Sequence, residues 1–303
     1  MQLLETLCNI HAPSGNEKLM KEFIVEYVNE NSKKWTTIPE IIQGPKFQNC
    51  VILKFGKPRT AVFAHMDSIG FTVRYQNQLV PIGGPEAHSG FKLKGVDSLG
   101  PIECELEVND NGQLFYKFGR AIDTGTDLVF ACDFRQDEKS VTSCYLDNRL
   151  GVYSMLKVAE TLEDGLLVFS CWEEHGGGSV PYLAKYMYEE LNINQALISD
   201  ITWVTEGVSP GKGVAISMRD RNIPRRSYID HIIALSKESG IDYQLEVEGS
   251  GSSDGRELQI SPYPIDWCFI GAPEDNVHSP DETVYLHDIK SMIDLYSFLL
   301  RKL

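Results

Sequence analysis

Five apolar runs in this chain each lead into a histidine or an acid, and this feature limits the possible folds most. "TAVFA" leads into His65 and then Asp67, "LLVFSCW" into Glu173 and Glu174, and "ALIS" into Asp200. "SCYL" leads into Asp147, and "DWCFIG" reaches His278 through a short loop. Short apolar runs of this kind read as buried strands. An ionised group stranded in an apolar interior is costly, so the charged residues belong at the strand ends. In an open α/β sheet the ligand crevice lies outside the carboxyl ends of the strands. Five separate segments therefore deliver a histidine or an acid to one edge of one sheet. Taken singly, each has an ordinary reading: an aspartate before a helix is an N-cap, and a histidine after a strand is structural. Their joint placement points to a site.

The rest of the chain fits an α/β domain with a mostly parallel, mixed sheet flanked by helices. The first 32 residues read as a helix interrupted by "HAPSGNE", with Ser14 or Asn16 available to cap the resumed helix. "CVILKFG" and "TAVFAHMD" read as strands. From about 71 to 140 the pattern changes to short alternating runs separated by Gly, Asn and Asp turns, with "NDNG" at 109–112 as a hairpin turn. This predicts a small all-β domain, 71–140, inserted into an α/β domain made of 1–70 and 141–303. Helices are expected at about 149–163, 180–190, 226–239 and 286–302, with strands at Leu166–Trp172, Ala196–Ser199, "YQLEV" and "DWCFIG". Alternating elements of this kind favour a parallel-rich sheet.

Composition narrows the function. The 303 residues carry 28 Lys and Arg against 43 Asp and Glu, a formal net charge of -15. That balance argues against nucleic acid and against anionic membrane surfaces as partners. No apolar run approaches the roughly 20 residues needed to span a bilayer. The N-terminal stretch "MQLLETLCNIHAPSG" has no basic region and no cleavage pattern, so no signal peptide is expected. The seven cysteines include no C-x-x-C pair and have mostly apolar neighbours, which suggests free thiols in a reducing cytoplasm.

His65, Asp147, Glu174, Asp200 and His278 make five candidate metal ligands. If one carboxylate bridges two ions, each ion has three protein ligands and keeps an open position for water. Two imidazoles and three carboxylates suit Zn²⁺, Co²⁺ or Mn²⁺ better than Mg²⁺ or Ca²⁺. Asp67, two residues after His65, is spaced to accept the second ring N–H. The adjacent Glu173 and Glu174 would point to opposite sides if they continue the strand. One could then bind metal while the other faces substrate as a general base, and the three glycines that follow would let a substrate approach the backbone.

With these residues in view, the sequence resembles the dinuclear metallo-aminopeptidases of the glutamyl aminopeptidase and cellulase-M-like family, which includes the tetrahedral (TET) aminopeptidases. "AHMDSIGF" matches A-H-x-D-E-I-G-F, "LDNRLG" matches L-D-N-R, "EEHG" matches E-E-V-G, "ISDIT" matches V-D-x-T and "VHSPDE" matches H-S-P-x-E. The five occur in order over nearly the whole chain. The resemblance implies a zinc-exopeptidase-like fold and a metal-dependent aminopeptidase that hydrolyses N-terminal residues from peptides with a free N-terminus. It implies two divalent ions per subunit, one on His65 and Asp200 and the other on Glu174 and His278, with Asp147 bridging. It further implies that Glu173 is the base, that Asp67 orients His65, and that the peptide after Asp147 is cis. The β insert would take part in self-assembly, making a homo-oligomer of two or more subunits. Ser68 stands where the family has Glu, and "HGGGS" replaces V-G-L-R-G, so the family's Arg is absent and His175 is new.

Other residues have ordinary readings beside functional ones. Asp220 and Asp254 fit the family's run but also fit turns or caps. Arg219, Arg221, Arg225 and Arg226 either pair with surface acids or line a carboxylate pocket. Two alternatives stay open for the whole chain: a dinuclear-metal deacylase or amidohydrolase acting on small N-acyl substrates, and a non-catalytic scaffold that keeps the fold.

Overall fold

The computed structural model describes residues 1–303 and divides them between two sheets. The chain opens with helices α1 (Gln2–Asn9) and α2 (Lys18–Asn31), then strands β1 (Glu40–Ile42), β2 (Val51–Phe55) and β3 (Ala61–His65). A run of short strands follows: β4 (Gly70–Val73), β5 (Leu79–Ile82), β6 (Lys92–Asp97), β7 (Gly100–Val108), β8 (Leu114–Lys117) and β9 (Asp127–Phe130). Next come β10 (Arg135–Gln136), β11 (Ser140–Ser143), α3 (Leu146–Ala159), β12 (Gly165–Ser170), α4 (Val180–Lys185) and β13 (Gln195–Trp203). The chain ends with β14 (Val214–Arg219), α5 (Arg226–Ser239), β15 (Tyr243–Val247), α6 (Asp254–Ile260), β16 (Asp266–Asp275), β17 (Glu282–Tyr285) and α7 (Leu286–Lys302).

The large sheet has eleven strands, with β1-β2-β12-β3-β13-β16-β17-β11-β10 in order and β14 and β15 branching from β16. Its centre is parallel: β12 pairs with β3, β3 with β13, and β13 with β16, all in one direction. These strands are continuous apolar runs because both faces are covered. Every residue of β3 and β12 is buried, as expected for a parallel sheet beneath helices. Helix α3 lies across β13 and β3 with α1 and α7 beside it, while α4 packs on α6, which also reaches β16. One core cluster of 62 buried residues runs through these layers. Truncating a fully buried ring such as Phe63 would cost about 3–5 kcal/mol.

The second sheet has six antiparallel strands in the order β5-β4-β9-β6-β7-β8 and its own core of 15 buried residues. The β7–β8 turn falls at "NDNG". Asn109 Oδ1 accepts the amides of Asn111 and Gln113, and Gly112 takes a φ of 74°. The expected insert, 71–140, includes β10, but β10 pairs with β11 and β11 pairs with β17 in the large sheet. The pairing shifts the boundary because 135–143 forms the edge of the large sheet rather than another strand of the small one.

Other elements also differ from expectation. The N-cap position of α2 is Glu17, with no side-chain cap. Ser14 does not cap; its hydroxyl is used elsewhere. β14, β17 and α6 arise where no element was expected. The π turn Tyr186–Glu190 extends α4 over the predicted 180–190 segment, and helices Arg226–Ser239 and Leu286–Lys302 match their expected limits.

Candidate metal centre

The parallel strands bring the site together at their carboxyl ends. His65 is the last residue of β3 and is in register with Ser170, the last residue of β12. Asp200 lies in β13 opposite Gly271 of β16. His278 follows β16 with φ at 67°. Asp147 enters from the non-helical start of α3, after Tyr145 takes a left-handed φ of 67°. The Asp147–Asn148 peptide is cis.

These five side chains converge. The ligand atoms of His65, Asp147 and Asp200 lie within 4.8 Å of one another, and so do those of Asp147, Glu174 and His278. Asp147 belongs to both groups and splits its carboxylate between them. Its Oδ1 is 3.1 Å from His65 Nε2 and its Oδ2 is 3.3 Å from His278 Nε2. Asp200 Oδ2 is 3.6 Å from His65 Nε2, and Glu174 Oε2 is 3.2 Å from His278 Nε2. Glu173 Oε2 stands 3.9 Å from His65 Nε2. His175 stays apart: its Nδ1 accepts the Gly83 amide from the small sheet.

The sequence places Glu173 and Glu174 at a strand end, and the structure does not. β12 stops at Ser170, Trp172 takes a φ of 63°, and the pair sits in the turn that follows. Asp67 sets their orientation. Its Oδ1 accepts the Glu173 amide and its Oδ2 the Glu174 amide, each at 3.2 Å. Ser14 donates its hydroxyl to Asp67 Oδ2 at 2.6 Å, and Asp67 Oδ1 lies 3.5 Å from His65 Nδ1. One buried carboxylate therefore holds the backbone of both glutamates and faces His65 Nδ1, which has no hydrogen-bond partner. The glycines do not line the cavity. Gly176 and Gly177 turn the chain at φ of 114° and 69°, and a Cβ at Gly177 would strike the Glu257 side chain.

The sequence reading missed three supports. Glu282, fully buried, accepts the Asp147 amide at 3.2 Å and the His278 amide at 3.0 Å, tying two ligand segments together. Its signal was the last residue of "VHSPDE". Arg149, also fully buried, donates to the carbonyls of Met66 and Asp67 and so holds the segment after β3. Gly84 lends its carbonyl to His278 Nδ1 at 3.1 Å, which leaves Nε2 facing the carboxylates.

The electrostatics call for positive charge. Burial opposes the charged imidazole of His65, but Asp200, Asp147 and Asp67 outweigh it and hold its pKa well above the ordinary value. Burial likewise opposes His278, yet Asp147 and Glu174 push it up to about 12. Burial and then Asp147 raise Glu174 to about 7. Burial lifts Glu173 well above the carboxylate range, with His65 opposing. Glu174 Oε1 is buried with no hydrogen-bond partner. Two nitrogen-and-oxygen groups sharing one split carboxylate, one of them with an unpaired buried oxygen, are donor sets suited to divalent metal.

The family model for M42 glutamyl aminopeptidases matches residues 117–295. The chain belongs to the M42 glutamyl aminopeptidase family. It is a metal-dependent aminopeptidase, a hydrolase acting on peptide bonds. A relative from Acetivibrio thermocellus named "Putative aminopeptidase" is 27% identical and aligns over 97% of this chain and 96% of its own length. The aminopeptidase APDkam598 of the archaeon Desulfurococcus kamchatkensis has a TM-score of 0.87 at 22% identity, covering 100% of this chain and 94% of that one. The Pyrococcus horikoshii TET1 peptidase, described as able to assemble into a tetrahedron or a large octahedral shell, has a TM-score of 0.86 at 20% identity and covers 98% of both chains. These structural likenesses establish the fold, a zinc-exopeptidase-like α/β domain with a mixed sheet. No helix is long and apolar enough to cross a membrane.

Proposed function

We propose that His65, Asp147 and Asp200 hold one divalent ion, that Asp147, Glu174 and His278 hold a second, and that Glu173 is the general base of peptide hydrolysis. The observation that carries this reading is the division of Asp147, with one oxygen 3.1 Å from His65 Nε2 and the other 3.3 Å from His278 Nε2. Zn²⁺ suits the donor set best, with Co²⁺ and Mn²⁺ next. Bound ions would polarise the scissile carbonyl and make a water nucleophilic near neutral pH. Glu173, outside both ligand groups, takes the proton from the attacking water and returns one to the leaving amine. Asp67 is a positioning residue: it holds the turn that carries both glutamates and lies 3.5 Å from His65 Nδ1, where its charge favours a ring N–H on that side.

The substrates are peptides with a free N-terminus, and the working form is a homo-oligomer. The small sheet serves assembly or substrate access, in keeping with its separate core and the exposed apolar residues Val96 and Leu99 at the β6–β7 hairpin. The seven free cysteines support a cytoplasmic setting.

The test compares aminoacyl-anilides with their N-acetylated counterparts, using protein stripped with chelator and then reloaded with Zn²⁺, Co²⁺ or Mn²⁺. Hydrolysis of the free-amine forms that disappears with chelator and returns with metal is expected. Hydrolysis confined to the acetylated forms would favour the deacylase reading.

A further inference from the structure

The cavity containing the candidate ligands continues past them to the carboxyl ends of β14 and β15. It has a volume of about 230 Å³, and its lining includes seven carboxylates and no Lys or Arg. Two ions and a general base account for Asp147, Asp200, Glu174 and Glu173. Asp220, Glu246 and Glu248 remain. β14 and β15 are parallel, with Ser217 opposite Glu246 and Arg219 opposite Val247. The three carboxylates therefore leave the same end of two adjacent strands.

None of the three is in an ion pair. Asp220 is only 9% exposed. Its Oδ1 accepts the backbone and side-chain amides of Asn222, while its Oδ2 accepts no hydrogen bond. Glu246 is 3% exposed, and its Oε1 accepts the Thr202 hydroxyl. The Ser217 hydroxyl lies close to the same carboxylate. Carboxylates buried this deeply are costly without a compensating cation. The same lining includes three apolar side chains, Ile201, Trp203 and Phe269. Trp203 lies beside Gly251 and keeps 42% of its surface exposed.

We propose that this extension receives the side chain of the substrate's N-terminal residue and selects a long cationic one, lysine or arginine. The inference rests on the aminopeptidase reading of the site. The alkyl stem lies along Trp203 and Phe269, and the cationic head sits among Asp220, Glu246 and Glu248. The lining offers no cation to the acidic side chain after which the family is named. Arg225 pairs with Asp266 and Arg226 with Asp230, while Arg219 Nε donates to the Asp220 carbonyl, and neither Arg219 nor Arg221 lines the cavity. The net charge of -15 also attracts cationic peptides at long range.

The experiment measures kcat/KM of the metal-loaded full chain on p-nitroanilides of lysine, arginine, norleucine and glutamate. Norleucine keeps the lysine stem without its ammonium. Lysine and arginine should exceed norleucine by roughly 10- to 100-fold, the range of a desolvated charge-assisted hydrogen bond, with glutamate lowest. In Asp220→Asn and in Glu248→Gln the lysine-to-norleucine ratio should fall about tenfold. Glu248 is only half-buried, so its variant guards against simple loss of folding. Norleucine or glutamate equal to or above lysine would overturn the inference and leave the aminopeptidase reading standing. So would variants that slow lysine and norleucine in equal proportion. Failure to cleave any of the four anilides by protein carrying metal would overturn the aminopeptidase reading itself, and the inference with it.

Discussion

The two sides of Asp147 are built differently. On one side His65 and Asp200 belong to central strands, and both are nearly sealed, at 1% and 6% exposure. Parallel pairing sets their positions, so they can shift only if the sheet does. On the other side Glu174 sits in a turn and His278 in a loop, and the His278 side chain is 29% exposed. Hydrogen bonds to Asp67, Glu282 and Gly84 hold that side in place of strand register. The contrast predicts one tightly held ion and one that exchanges, because loop positions open locally at lower free energy than core strands.

The largest expected effect separates chemistry from binding. Glu173→Gln should lower kcat by roughly 10²- to 10⁴-fold, the usual range for a general base, and keep both ions. Elemental analysis beside the kinetics checks this, and loss of metal in that variant would move Glu173 into a ligand set. Next, Asp67→Asn should weaken metal affinity by about 10- to 100-fold, as removing a carboxylate that orients a ligating histidine does. Titration with a competing chromogenic chelator would measure it; an unchanged affinity would leave Asp67 no positioning role.

Glu174→Gln bears on the comparison itself. It should lose the exchangeable ion and keep the buried one, with activity partly recovered in excess metal. Loss of both ions together would break the asymmetry. Glu282→Gln leaves one oxygen where two accept, so either the Asp147 or the His278 amide loses its acceptor, and the weaker ion should bind about tenfold less tightly.

The smallest effect concerns pH. His278 rises from an ordinary value near 6.5 to about 12 on folding. Its contribution to stability is therefore full below about 6.5 and is lost as pH climbs through 12. Glu174, raised to about 7, destabilises the fold as it ionises between its ordinary value near 4.5 and 7. Both trends run the same way. The Tm of chelator-stripped protein should fall from pH 5.5 to 8, and reloading with metal should flatten that dependence. An equal slope with and without metal would detach these groups from the ions.

Much of this site is legible in the sequence because strands deliver residues to a predictable edge. His65, Asp200 and His278 could be placed from the apolar runs before them, and Asp147 from the helix after it. The separate texture of the small sheet was visible in its short alternating runs. What was not legible depends on tertiary partners. Strand alternation gave the wrong reason for the different placements of Glu173 and Glu174, since Trp172 breaks the strand direction and Asp67 sets the turn. Ser14 read as a local cap because its partner Asp67 is 53 residues away. β14 went unseen, so Asp220 stayed open between a site and a turn; it accepts the Asn222 amide as a turn residue does and also lines the cavity.

The most direct test of the account is an anomalous difference map from crystals of the Zn²⁺-loaded enzyme. The account predicts two peaks roughly 3.5–4 Å apart, one beside each carboxylate oxygen of Asp147, with the His278-side peak weaker after brief soaking in chelator. A single peak, or a second one among Asp220, Glu246 and Glu248, would contradict it.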